Sequence, residues 1–141
     1  MKRKASAQWQ GDLKSGKGSV SLESGVLADS PYSFSTRFEN GKGTNPEELA
    51  AAAHAGCFTM ALSAELGKAN LVAETLRTNA VVTLEKGADG FAITESQLEL
   101  VAKIPGASKE AFQAAADTAK ANCPLSKLLK AKITLTATLE S

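Results

Sequence analysis

The chain has 141 residues, with 16 lysines and arginines against 15 acids, a formal net charge of +1 and 43% hydrophobic residues. That length suits a single domain, residues 1–141, able to bury a real core. Near-neutral charge without a long basic run leaves phosphate-driven nucleic-acid binding no footprint. No uninterrupted apolar stretch reaches the ~18 residues that cross a bilayer, so no membrane association is expected.

The N-terminal "MKRKASAQWQGD" is basic but has no apolar segment behind it, so it does not read as a secretory signal, and a cytoplasmic protein is expected. "KASAQWQGD" and "GKGSVSLES" alternate around a glycine-containing connection and predict an N-terminal hairpin. The loop-rich "GVLADSPYSFSTRFENGKGT" holds one short extended piece at "YSFSTRF", and Asn40-Gly41 with Gly43 mark a turn. Thr44 or Asn45 can cap a long apolar helix that has Pro46 near its first position and Glu47 and Glu48 in its first turn. That helix should run to about Lys68–Asn70. It is apolar over too wide an arc to face solvent and should be buried against sheets and another helix.

"LRTNAVVTLEKG" and "FAITESQLELVAKIP", separated by "ADG", predict a second hairpin. "SKEAFQAAADTAKAN" has helical spacing and begins at Ser108, "CPLSKLLKA" predicts a short helix, and "KITLTATLES" a closing strand. Strands grouped before and after helices, without a repeating βαβ unit, indicate an α+β fold.

The chemistry centres on two cysteines, Cys57 and Cys123. In a reducing compartment they are either inert buried thiols or a reactive couple. Cys57 lies more than two turns into the long helix, beyond reach of that helix's own N-terminal dipole, so a thiolate there needs a cation from elsewhere. Arg37, just before the helix, is one candidate. His54, three residues before Cys57 on the same side and the only histidine, is the other. Cys123 precedes Pro124 and so falls at the N-cap of the short helix, where free N–H groups favour thiolate and a good leaving group in disulfide exchange. His54, Cys57 and Cys123 make too few ligands, too widely spaced, for a structural zinc site. No G-x-S-x-G, P-loop or dinucleotide fingerprint occurs, so neither metal nor cofactor is expected.

Glu47 precedes Cys57 by ten residues, a helical rise of about 15 Å, so the two cannot touch within one helix. If two copies of the helix crossed antiparallel about an axis at residue 52, Glu47 of one would lie near Cys57 of the other. The alanines Ala50 to Ala53 would permit close approach. Equally, those alanines could pack under a sheet of their own chain.

"TRFENGKGTNPEELAAAAHAGCFTMALS", with "GKGSVSLESGVL", "GFAIT" and "CPLSKLLKAKITL", closely resembles the osmotically inducible protein C family of the OsmC/Ohr superfamily, almost end to end and nearer its OsmC branch. The resemblance implies antiparallel sheets packed around a long buried central helix in an intertwined homodimer with active sites at the subunit interface. It implies a thiol peroxidase that reduces organic hydroperoxides and protects against oxidative stress. Carried over by residue, Cys57 matches the peroxidatic cysteine, Cys123 the resolving cysteine, Arg37 the residue that activates the thiolate, and Glu47 the carboxylate that orients Arg37. The reductant implied is an external dithiol, possible in a lipoyl-type form. Phe34, Phe38, Phe58 and Met60 could line an apolar pocket or simply pack the core. The competing reading is a non-catalytic binding or structural dimer of the same fold.

Overall fold

The computed structural model describes residues 1–141. In chain order the elements are β1 (Ala5–Gln10), β2 (Lys17–Leu22), β3 (Ser30–Tyr32), α1 (Phe34–Phe38), α2 (Pro46–Lys68), β4 (Thr75–Gly87), β5 (Gly90–Lys103), α3 (Lys109–Asn122), α4 (Pro124–Leu128) and β6 (Lys132–Glu140). They fall into two compact units, Met1–Leu49 and Ala50–Ser141, and α2 begins in the first and continues into the second.

In the first unit β1, β2 and β3 form an antiparallel sheet in that order. Gly18 of β2 stands opposite both Trp9 and Tyr32. Its missing side chain lets those rings meet at 5.5 Å between centroids, because a Cβ at Gly18 would fall 2.5 Å from Tyr32 and 2.6 Å from Trp9. The extended piece expected over "YSFSTRF" ends at Tyr32, and Phe34–Phe38 is a helical turn instead. A reciprocal capping box starts it: Ser33 Oγ accepts from the Thr36 backbone N–H, and Thr36 Oγ1 accepts from that of Ser33. Phe34 and Phe38 form an i,i+4 helical pair with centroids 4.9 Å apart.

In the second unit the four buried members of α2, His54, Phe58, Leu62 and Leu66, recur every four residues and form a single stripe. Opposite them, β5 buries Ser96, Leu98, Leu100 and Ala102, the period-two face of a strand. Phe112, Ala116 and Ala119 of α3 complete the core. Fully burying a side chain such as Phe58 or Leu62 contributes about 1.5–3 kcal/mol.

Two expectations change here. The second sheet, in the order β4-β5-β6, is mixed: β4 and β5 form the antiparallel hairpin, but β6 pairs with β5 in parallel after the crossover through α3 and α4. And α2 is buried on one side only. Ala52, Ala53, Gly56, Met60, Ser63, Ala64 and Gly67 are exposed along its other side, Met60 at 79%. By length and composition α2 is apolar enough to cross a membrane, although its polar residues prevent an uninterrupted run. The core helix of a folded domain meets the same criterion, and the buried stripe on Ser96 and Leu98 gives α2 that role.

Candidate active site

Helix α1 presents Arg37 in its last turn, and Glu47 is in the first turn of α2. The two starts are tied together by Asn45. Its Oδ1 accepts from the Glu48 backbone N–H at 2.7 Å, capping α2, while its Nδ2 donates to the Thr36 carbonyl at 3.0 Å, holding α1. Ahead of it, Gly43 adopts φ +144°, where a Cβ would fall 2.5 Å from the Pro31 carbonyl oxygen. The same oxygen accepts from the Thr44 backbone N–H at 2.9 Å.

This framing brings the guanidinium and carboxylate together. Arg37 Nη2 donates to Glu47 Oε1 at 2.7 Å, and Nε donates to both carboxylate oxygens at 3.1 and 3.2 Å. Glu47 is mostly covered and Arg37 more open, with side-chain exposures of 12% and 37%. A pair of this fork-like geometry fixes the guanidinium plane as well as its position. Arg37 also lies over the Phe38 ring, 5.4 Å from its centroid.

Cys57 and Cys123 are likewise brought together. Both are free thiols, Cys57 half-buried and Cys123 buried. Cys57 packs against the buried cluster that includes Cys123, close enough that the Cys123 thiol and the Leu125 backbone N–H both act on its pKa. Burial pushes the Cys57 thiol above its ordinary pKa, the Leu125 N–H pulls it back, and the neighbouring Cys123 pushes it up again. No cation contributes to that balance. Cys123 is the N-cap of α4, and its sulfur accepts from the Ser126 backbone N–H at 3.4 Å.

His54 does not stand as a partner for Cys57. It is fully buried, with Nδ1 2.6 Å from Ser96 Oγ and Nε2 2.8 Å from Ser126 Oγ, and burial lowers its pKa. Of the proposed pocket residues, Phe58 belongs wholly to the core, whereas Phe38 lies beneath Arg37 and Phe34 packs against Phe38. Three groups around the thiols and His54 were not singled out in the sequence: the Leu125 N–H, Ser126 and Ser96. Ser126 had a local signal, since it is the third helical residue after a capping Cys-Pro. Ser96 had none, because it reaches His54 from 42 residues away.

The chain matches the family model described as "OsmC-like protein" over residues 39–138. It is 52% identical to Peroxiredoxin OsmC of Escherichia coli (strain K12) over 139 residues, covering 99% of this chain and 97% of that protein. It is 34% identical over 100 residues to the organic hydroperoxide resistance protein of Xanthomonas axonopodis pv. citri (strain 306), covering 70% of this chain and 68% of that one. Among solved structures, the organic hydroperoxide resistance protein OhrB of Bacillus subtilis superposes with a TM-score of 0.68 at 25% identity, over 97% of this chain and 98% of that chain. A family model spanning most of the chain and a near full-length relative at this identity agree with the fold: the chain belongs to the OsmC-like protein family.

Proposed function

We propose that the protein is a cysteine-based peroxidase that reduces organic hydroperoxides to alcohols in oxidative-stress defence. It acts as one OsmC-like domain over residues 1–141 and as a cytoplasmic homodimer. The observation that carries this reading is the juxtaposition of two free thiols, one of them capping a helix, in a chain similar to a peroxiredoxin and to an organic hydroperoxide resistance protein. Free thiols in contact suit a reducing compartment and a reversible disulfide.

In this reading Cys57 thiolate attacks a peroxide oxygen. The O–O bond breaks, the alkoxide takes a proton and leaves as alcohol, and Cys57 becomes a sulfenic acid. Cys123 thiol then attacks the Cys57 sulfur, an S–S bond replaces the S–OH bond, and water leaves. An external dithiol, of which a lipoyl-type dithiol is one form, reduces the disulfide and restores both thiols.

Arg37 is the residue that stabilises the Cys57 thiolate, and Glu47 aims it. Glu47 occupies the Nε–Nη2 side of the guanidinium, so the Nη1 end is the one available for sulfur and peroxide. A thiol whose surroundings within the chain raise its pKa needs a cation supplied to it. Glu47 and Cys57 are about 15 Å apart along one helix, so that cation is assigned to a second copy of the chain. Phe38 beneath Arg37, with Phe34 tilted against it, suits the organic part of a hydroperoxide.

The test is a free-thiol count before and after one equivalent of tert-butyl hydroperoxide. The peroxidase reading expects two thiols lost per chain and recovered with dihydrolipoamide. A binding or structural dimer would lose neither on that timescale. Cys57→Ser should abolish turnover, because an alcohol near neutral pH does not replace a thiolate.

A further inference from the structure

A hydrogen-bonded line of side chains runs away from Cys123. Its sulfur is 3.1 Å from Ser126 Oγ, Ser126 Oγ is 2.8 Å from His54 Nε2, and His54 Nδ1 is 2.6 Å from Ser96 Oγ. Peroxide reduction by Cys57 needs none of these groups. Yet the chain buries its only histidine completely, along with Ser96, to build the line. A buried imidazole with both nitrogens satisfied by hydroxyls is stable as a fixed, neutral group. Packing alone would be served as well by an apolar side chain at position 54, which is flanked in the same stripe by Phe58 and Leu62.

We propose that His54, acting through Ser126, is the proton acceptor for the Cys123 thiol during disulfide closure, with Ser126 the contact group and His54 a positioning residue behind it. The inference rests on the assignment of Cys123 as the resolving thiol. With the ring proton on Nδ1 and donated to Ser96 Oγ, His54 Nε2 accepts from the Ser126 hydroxyl. Ser126 Oγ is then free to accept from the Cys123 S–H.

When Cys123 attacks the sulfenic sulfur of Cys57, its proton passes to Ser126 Oγ and the Ser126 proton passes to Nε2. The S–S bond forms as the S–OH bond breaks. Cys123 sulfur is oxidised and Cys57 sulfur is reduced, so no outside oxidant or reductant enters. The hydroxide released beside the two sulfurs takes the proton back along the same line and leaves as water. Burial, which disfavours the imidazolium, makes that return favourable. The line therefore serves a step that comes after peroxide has gone, and it separates the two halves of the cycle onto different residues.

The experiment follows the two steps separately in the full-length protein with tert-butyl hydroperoxide. Stopped-flow fluorescence or quenched mass spectrometry gives the loss of the Cys57 thiol. Dimedone trapping against time gives the lifetime of the sulfenic acid before closure. Ser126→Ala and His54→Gln should each lengthen that lifetime about a hundredfold, the lower end of the range for a positioned acid–base group, with Cys57 oxidation within twofold of wild type. Ser126→Thr, which keeps the hydroxyl, should restore closure; a purely structural defect would not discriminate in this way. Closure at the wild-type rate in Ser126→Ala would overturn the relay even if His54→Gln folds poorly. An equal slowing of both steps would also overturn it. A wild-type protein that loses no thiols to the hydroperoxide would instead sink the peroxidase reading, and the relay with it.

Discussion

Cys57 sits in surroundings that oppose the work assigned to it. Burial and the adjacent Cys123 raise its pKa, and the Leu125 N–H offsets only part of that. If Arg37 supplies the missing charge, Arg37→Met should cut the fraction of thiolate at neutral pH by about tenfold, since an opposite charge nearby shifts a pKa by one unit or more. Iodoacetamide alkylation of Cys57 followed against pH would report this as a slow rate at pH 7 that recovers as the pH rises. An unchanged profile would move the credit to backbone donors. His54 is the opposite case, a base held neutral. Its folded pKa lies below the ordinary 6.5, so its contribution to stability is fully present above 6.5 and is lost as the pH falls through the depressed value. Urea unfolding at pH 7 and pH 5 should show wild type losing more stability on acidification than His54→Gln, and equal losses would contradict the assignment. Of these residues, Cys57 and Cys123 stood out by type and position and Arg37 as one of two candidate cations, whereas the partnership of Glu47 with Arg37 came only from the family resemblance. The partners of His54 were not legible, because Ser96 and Ser126 reach it from 42 and 72 residues away, and the Cys-Pro cap marks Ser126 only as a neighbour of Cys123.

Among the elements, those with strong periodicity were readable and those decided by a cap or by a distant partner were not. The β4–β5 hairpin, α3 from its Ser108 cap and α4 behind Cys123 fall where alternation, helical spacing and Cys-Pro put them. Helix α1 was hidden because Tyr32, Phe34 and Phe38 alternate plausibly as strand residues, while the Ser33–Thr36 capping box decides otherwise. The parallel pairing of β6 with β5 is a property of the crossover through two helices, which a strand's own sequence does not carry. Asn45 joins these levels, since one side chain both caps α2 and holds α1. Asn45→Ala should destabilise the protein by about 1 kcal/mol, the usual effect of losing an N-cap, and should also loosen the Arg37–Glu47 pair. Asn45→Asp keeps the capping oxygen but loses the Nδ2 donor to Thr36. It should therefore retain most of the stability while still lowering peroxide reactivity. Denaturant unfolding alongside a peroxide assay separates the two effects; full activity in Asn45→Asp would show that the hold on α1 does not matter.

For the whole molecule, the open side of α2 carries the strongest prediction. Ala52, Gly56 and Met60 are exposed at four-residue spacing, and a side chain at Gly56 would meet nothing of its own chain within 4 Å. A bulky residue on this side should therefore be tolerated by the single chain and cost stability only where a second helix packs against it. Ala52→Trp should then yield folded monomer by light scattering and circular dichroism, because two close-packed helices leave no room for an indole from each. Dimer retained at micromolar concentration would place the axis elsewhere. The same crossing would put the Arg37–Glu47 pair of one copy at the Cys57–Cys123 pair of the other, and that exchange can be tested without a structure of the dimer. Chains carrying Cys57→Ser keep a sound Arg37 and Glu47. Chains carrying Arg37→Met and Glu47→Ala keep sound thiols. Each homodimer is inactive, but a co-expressed heterodimer regains one complete site if the charged pair acts across the interface. Purified through two different tags, it should show about half the wild-type activity per dimer, one working site in place of two. If both charged residues instead serve the cysteine of their own chain, no combination of these subunits assembles a complete site, and activity stays at the level of the parent variants.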